Sequence, residues 1–401
     1  MTSTETNPDL DPFAPTTLGP VQLRNHFIKA ATFEGMARKN LVSDRLVDFH
    51  QAMAAGGVGM TTVAYLAVSP DGQGAPNEIV VRPEAVEGLR RLADAVHAEG
   101  AAVSAQLGHA GPVAAGTGHK GLAPSRIFSP MALKFTKAID DHDIERITGD
   151  FVQAALRLQE AGFDAIELHL GHNYLLSAFL SPALNKRTDK WGGSVANRAA
   201  FARKVTTAVR QAVGPDLGIL AKLNMEDGYP GGIWLDESIE AAQLLESDGV
   251  LDALELTSGS SFKNPMFLFK GDAPIQEMAE AFPQPLKTGF KLFGKRFLPS
   301  YPFEEAYFLP QARQFREALT MPLVLLGGVN RIETARQALA DGFEYVAMGR
   351  ALLREPDLLN RWQADDTSES LCIHCNKCMP TIYQGTHCVL VPVGQRPGHS
   401  A

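Results

Sequence analysis

No cysteine occurs before Cys372, and all four (Cys372, Cys375, Cys378 and Cys388) crowd into one short window near the C-terminus. That distribution excludes a disulfide framework spread over a secreted fold and reads instead as a metal-ligand patch. Long apolar runs are also missing: nothing approaches the ~20 residues a membrane helix requires. No Lys or Arg precedes Arg24, so the basic start of a secretory signal and the Arg-rich character of a transit peptide are both absent. The expected compartment is the cytoplasm. Positive charge is the scarcer sign, with 37 Lys and Arg against 45 Asp and Glu and a net charge of −8. Such a balance argues against a general nucleic-acid or anionic-membrane binder, and a small-molecule substrate is the expected partner. With 45% hydrophobic and 20% charged residues, the composition is that of a globular protein able to bury a large core.

What is present is a repeat. Short apolar runs at 27–32, 60–64, 102–107, 165–169, 218–223, 253–256, 323–326 and 345–348 read as strands. Between them, 43–55, 83–98, 143–161, 195–213, 237–247, 310–318 and 332–340 carry helical spacing. In 143–161, for example, Ile144, Ile147, Phe151, Ala154 and Leu158 share one stripe. Strands that are continuously apolar are buried on both faces, which predicts a parallel sheet. Eight such units closing on themselves make an α/β fold of the (β/α)8 TIM-barrel kind. The rival is an open doubly wound sheet, which carries a Gly-rich turn after its first strand; here that strand runs into AATFEGMA. The expected organisation is a loose tail over 1–13, a barrel over 14–365 and a Cys-rich extension over 366–401. Residues 258–309 form a long connection after the sixth strand, rich in Phe, Pro, Gly and Lys, and loops of that length are usually lids or interaction surfaces. This loop and the tail are the candidate interface elements of a homo-oligomer.

Chemistry in a barrel gathers at the C-terminal ends of the strands. The third strand delivers Gln106 and His109 there. The fourth delivers His169, His172 and Tyr174, and the fifth Lys222 and Asn224. Gly327 and Gly328 end the seventh, Gly349 and Arg350 the eighth. Loops after strands seven and eight commonly form a phosphate site. Glycine lets backbone approach an anion closely, and Arg350 adds charge-assisted hydrogen bonds.

HLGHNYLLSAFLSPALNKRTDKWGGSVANR, at 169–198, resembles the signature of the Old Yellow Enzyme family of FMN-dependent ene-reductases. Leu23-Arg24-Asn25, AQLGHAG at 105–111 and MGRALL at 348–353 extend the resemblance over roughly 14–362. It implies FMN across the barrel mouth, with the phosphate at Gly328, Gly349 and Arg350 and the pyrimidine edge at Gln106. Ala30, Ala31, Thr32 and Tyr65 would line the ring. The resemblance further implies that His169 and His172 hold a substrate carbonyl oxygen while hydride arrives from the flavin, that Tyr174 donates the proton, and that NADH or NADPH reduces the flavin first.

Three departures qualify it. The family's Arg near flavin N1 is Lys222 here, a point charge rather than a fork. The flavin-tuning position of the first strand falls on Phe33, with Thr32 one place off. The Cys-x2-Cys-x2-Cys-x9-Cys run resembles the larger 2,4-dienoyl-CoA reductase and trimethylamine dehydrogenase branch, which carries a four-iron cluster followed by nucleotide-binding domains; this chain ends soon after Cys388. Four thiolates suit iron–sulfur or zinc, and His374 and His387 are further zinc candidates. The alternatives are an iron–sulfur flavoprotein of that branch, a Schiff-base aldolase with Lys222 as nucleophile, and a non-catalytic metal-binding or interaction barrel.

Overall fold

A computed structural model describes residues 11–114, 118–129, 132–280, 284–296 and 298–398. Residues 1–10 of the expected tail lie outside them. Eight parallel strands close a barrel in sequence order: β1 (Phe27–Lys29), β2 (Met60–Ala67), β3 (Ala102–Gly108), β4 (Ala165–Leu170), β5 (Gly218–Asn224), β6 (Ala253–Thr257), β7 (Leu323–Leu326) and β8 (Tyr345–Met348). The barrel closes where β8 pairs with β1 and β1 with β2. All eight strands fall where the apolar runs predict them. The first is shorter than predicted, because after Lys29 only the amide of Ala30 keeps a ladder bond, donated to the Met348 carbonyl at 2.9 Å.

The outer helices are α1 (Asp44–Ala55), α2 (Val86–Ala98), α3 (Asp141–Glu160), α4 (Val195–Val213), α5 (Leu235–Ser247), α6 (Leu309–Ala318), α7 (Ile332–Ala340) and α8 (Leu358–Gln363). Local chemistry sets their starts. The Ser43 side chain accepts from the Leu46 amide at the head of α1. Asp140 and Asp143 form a reciprocal capping box at the head of α3, which satisfies two amides a helix otherwise leaves open. Ile144, Ile147, Phe151, Ala154, Ala155 and Leu158 then bury one stripe of α3.

The barrel interior is layered. At the bottom, the hairpin Thr16–Leu18/Val21–Leu23 plugs the barrel with Leu18, Val21 and Leu23 against Ile28, Met60, Ala102, Ala165, Leu220, Ala253, Val324 and Tyr345. One layer up, the period of two that brought Ala165, Leu220 and Ala253 inward brings Glu167, Lys222 and Glu255 inward. Above them lies the rim. The long connection 258–309 is not structureless. It folds into short helices Pro265–Phe269, Ile275–Ala279 and Leu286–Phe293. The extension from 366 docks back on the barrel through Ser370 N to Asn330 O at 2.9 Å and Thr386 N to Glu34 O at 2.7 Å. No helix among the described residues is long and apolar enough to cross a membrane.

Candidate active site

The floor of the site is charged and fully buried. Lys222 Nζ lies 3.0 Å from Glu167 Oε1 and 2.9 Å from Glu255 Oε1. Gln106 Nε2 donates to Glu167 Oε1 at 2.6 Å. Burial pulls the Lys222 ammonium toward deprotonation, but the two carboxylates outweigh it and its pKa ends above the ordinary lysine value. An amine nucleophile needs the reverse, so the aldolase reading is corrected: Lys222 is a fixed cation.

The His169–Tyr174 side of the mouth is held from β5 and β6. His172 and Asn173 have φ of +58° and +60°, a left-handed conformation that is uncommon away from glycine. Asn224 Oδ1 accepts the His172 amide at 3.0 Å. The Asn224 amide donates to Asp227 Oδ1 at 2.9 Å and to the Gly259 carbonyl at 2.8 Å. Asp227 also takes Asn173 Nδ2 at 3.0 Å, Ser181 Oγ at 2.6 Å and the Ile233 amide at 3.1 Å. This network fixes the turn that aims the imidazole, and His172 Nε2 then meets Thr257 Oγ1 at 2.9 Å. The rings of His169 and His172 are 5.1 Å apart, and Tyr174 stands 4.5 Å from His169. Burial, with Lys222 beneath, pushes the His172 imidazolium down to about 3. Burial first, then His172 and Lys222, hold His169 well below the ordinary value. Both rings are therefore neutral N–H donors at pH 7. Tyr65 lies 5.2 Å from Tyr174, but its hydroxyl is committed to the Gly72 carbonyl at 3.0 Å.

The opposite side is built by the loops after β7 and β8. Gly327 and Gly328 have φ of +114° and +81°. A Cβ on Gly328 would stand 2.6 Å from the Tyr307 ring, and one on Gly327 2.5 Å from Phe308, so both positions require glycine. Gly349 is different: a Cβ there would meet only Thr32 Cγ2 at 3.5 Å. Arg350 is half-buried and turned toward the extension. It donates to the Lys270 carbonyl at 2.9 Å and to Asn376 Oδ1 at 2.5 Å. At the end of β1, Ala31 and Phe33 pack with Ala64, Tyr65 and Tyr174, while the Thr32 hydroxyl is buried without a partner.

Cys372, Cys375, Cys378 and Cys388 line one cavity together with Arg350, Arg354 and Asn376. Among the described residues, no three His, Cys, Asp or Glu side chains close on a single metal ion. Of the two histidines named as zinc candidates, His374 lines the same cavity and His387 does not. His374 stacks on Phe303, with ring centroids 3.4 Å apart and a 4° interplanar angle, and its Nε2 meets Asn330 Nδ2 at 2.9 Å. His387 Nδ1 meets the Gly385 carbonyl at 2.7 Å. Four soft donors around one cavity, beside two guanidinium groups, suit an anionic cluster better than a lone cation.

Several residues of the site escape motif reading. Glu167 and Glu255 announce themselves only as carboxylates inside apolar strands. Asp227, Thr257, Phe303, Tyr307 and Asn376 have no local signal, because each acts through a contact distant in sequence.

Three buried polar atoms at the rim lack any protein partner: Thr32 Oγ1, His169 Nδ1 and Ser258 Oγ. Buried polar groups are normally satisfied, so the mouth is shaped for something the chain does not supply. A flat polar heterocycle above Gln106 and Lys222, with a phosphate toward paired glycines, meets that requirement. The class is that of the flavin-dependent barrel oxidoreductases. More particularly, the chain belongs to the NADH:flavin oxidoreductase / NADH oxidase family, whose model matches residues 11–257, and FMN is that family's cofactor. It is 54% identical over 380 residues to a 4,4'-dithiodibutanoate disulfide reductase of Rhodococcus erythropolis, covering 94% of each chain. It is 29% identical over 385 residues to a multifunctional alkene reductase/demethylase OYE of Caballeronia cordobensis, covering 94% of this chain and 52% of that protein. The structure of a 2-naphthoyl-CoA reductase in complex with 2-naphthoyl-CoA superposes with a TM-score of 0.75 at 25% identity, over 90% of this chain and 54% of that one. The chain thus spans about half the length of the latter two and nearly all of the first.

Proposed function

We propose that the chain uses FMN to pass a hydride from NADH or NADPH to small acceptors bound between His169, His172 and Tyr174. Conjugated carbonyl compounds (enones, enals and quinones) are the acceptors this geometry supports best. The observation that carries the reading is a pair of neutral, buried imidazoles 5.1 Å apart, with a tyrosine 4.5 Å from one of them.

When bound, FMN supplies the hydride. The protein contributes the rest. Ala30, Ala31, Thr32 and Tyr65 would line the ring, Gln106 and Lys222 would take its pyrimidine edge, and Gly328, Gly349 and Arg350 would take its phosphate. His169 and His172, being neutral, donate N–H bonds to the carbonyl oxygen and stabilise the charge that develops there without surrendering a proton. Tyr174 delivers the proton to the α-carbon.

A second acceptor class is favoured by the disulfide reductase of Rhodococcus erythropolis at 54% identity. Hydride transfer to one sulfur of a small aliphatic disulfide breaks the S–S bond, giving a thiol and a thiolate. Protonation of that thiolate completes two thiols. Neutral N–H donors at His169 and His172 would hold the departing thiolate as they would an enolate. In the extension, Cys372, Cys375, Cys378 and Cys388 would hold an iron–sulfur cluster, a one-electron carrier.

The test is direct. The anaerobically purified protein is assayed for iron and its cofactor released and weighed by mass spectrometry. It is then reduced with NADH or NADPH and mixed with 2-cyclohexenone or 4,4'-dithiodibutanoate. FMN in equimolar amount and rapid reoxidation by at least one acceptor are expected. FAD, or no flavin after reconstitution, would sink the reading, as would inertness toward both acceptors. An absence of iron would remove the cluster alone.

A further inference from the structure

The charged floor does not balance. Within the barrel, the layer under the rim contains two carboxylates, Glu167 and Glu255, and one ammonium, Lys222, each fully buried. The other groups facing Glu255 carry no charge. Below it lies the apolar plug, β3 offers the Gln106 amide, and β7 offers Val324 and Leu326. Lys29 lies on the outer face of β1, where Glu34 neutralises it at 2.6 Å. Above, His169 and His172 are neutral. With all three groups ionised, one negative charge would stand uncompensated in a dry interior, which burial strongly penalises.

The hydrogen bonds say which carboxylate gives way. Glu167 Oε1 accepts the Gln106 amide at 2.6 Å and also lies 3.0 Å from Lys222 Nζ. Neither oxygen of Glu255 has an aligned donor, although Lys222 Nζ is 2.9 Å away. We infer that Glu255 rests as the neutral carboxylic acid, a positioning residue that leaves Lys222 and Glu167 as a balanced pair beneath the pyrimidine edge of the cofactor. Burial first, then the neighbouring Glu167 charge, raises its pKa to about 8 in spite of Lys222. Below that pH the floor is neutral. Above it the floor becomes an anion under the same ring edge, and adding electrons there becomes harder. The inference rests on the cofactor placement proposed above only for this last consequence; the protonation itself is a property of the chain.

Two measurements separate these parts. Infrared spectroscopy of the cofactor-free protein should show protonated-carboxyl absorption at pH 7 that fades as pH rises through about 8, shared with Glu78, which burial raises to about the same value, and that loses the Glu255 part in Glu255→Gln. No fading absorption in the wild type, or fading absorption of equal strength in wild type and Glu255→Gln, overturns the inference whether or not the preparation takes up FMN. In the FMN-loaded protein, the midpoint of the bound flavin should match between wild type and Glu255→Gln at pH 7. Between pH 8 and 10 it should fall more steeply with pH in the wild type, because reduction then draws an extra proton to Glu255. A higher midpoint in Glu255→Gln at pH 7 would mean that a carboxylate had been neutralised, and would overturn the inference. Parallel curves to pH 10 would do the same for the coupling.

Discussion

The two sides of the barrel mouth are held by opposite means. On the β4–β6 side, each functional group stands on a strand or one turn beyond it, and its supports come from neighbouring strands: Asn224 and Asp227 beneath the turn at His172, Thr257 beside its ring, Glu167 and Glu255 around Lys222. On the β7–β8 side, Gly328 and Arg350 lean on parts outside the repeat. Tyr307 and Phe303 of the long connection wall the glycine, and Lys270 and Asn376 take the guanidinium. The difference teaches where precision is stored. The side expected to orient a reacting atom is fixed by rigid elements and buried hydrogen bonds. The side expected to hold a phosphate is fixed by loops and by the extension, so there cofactor retention would be joined to the state of the Cys cavity.

The largest effect should come from the strand side. Tyr174→Phe keeps the ring packed against His169 and Tyr65 and removes only the transferable proton. Flavin content and reduction by NADH or NADPH should stay near wild type, while enone turnover falls by about 10²–10⁴. Quinones, which need no carbon protonation, should suffer far less. Stopped-flow measurement of the two half-reactions reads this. Equal losses in both would make Tyr174 structural.

Next is the floor. Lys222→Met removes the cation between two buried carboxylates and leaves Glu167 uncompensated. Breaking one partner of a buried pair costs about 3–5 kcal/mol, to be read from denaturant unfolding of the cofactor-free protein. Restoring the balance with Glu167→Gln in the same chain should recover most of the loss. If Lys222→Met alone were neutral, the floor would not be the fixed ionic layer described above.

How much of this could be read beforehand follows the same division. The strands were legible because their residues are buried on both faces; His169, His172 and Tyr174 were legible by their place at the end of a strand, and the rest of 169–198 only through its resemblance to a family signature. The glycines at 327–328 were legible too, since backbone with φ of +114° and +81° leaves few other choices. Arg350 was only half legible: its position after β8 points to phosphate, yet its guanidinium is shared with Asn376, 26 residues on, and no periodicity reports such a contact. The surroundings of His374 were not legible for a related reason. His374 sits among the cysteines in sequence, but Phe303 and Asn330 hold its ring.

On the loop side, Arg350→Ala should act twice. Loss of charge-assisted hydrogen bonds is worth roughly 1.5–3 kcal/mol, so FMN affinity measured by flavin fluorescence should weaken by about 10–150-fold. The extension, deprived of the contact to Asn376, should be cut faster by protease over 366–398. Undiminished FMN affinity would remove Arg350 from the phosphate site and leave it as a clamp for the tail alone.

The smallest effect distinguishes the imidazoles from ordinary histidines. The pKa of His172 in the folded state is about 3, against roughly 6.5 unfolded. Between these values the unfolded chain binds a proton that the folded chain does not, so the contribution is intact above pH 6.5 and is lost as pH falls toward 3. At pH 5.5 the loss from His172 alone should be about 1 kcal/mol. In His172→Gln, which cannot take up that proton, the stability difference from wild type should narrow in the variant's favour by this amount between pH 7 and 5.5, as read by denaturant unfolding at each pH. Enone reduction by the wild type should show no inflection near 6.5 that His172→Gln removes, because His169 and His172 do not change charge there. An inflection near 6.5 that disappears in His172→Gln would mean the ring titrates as an exposed histidine does, and the substrate side would then be no drier than the loop side.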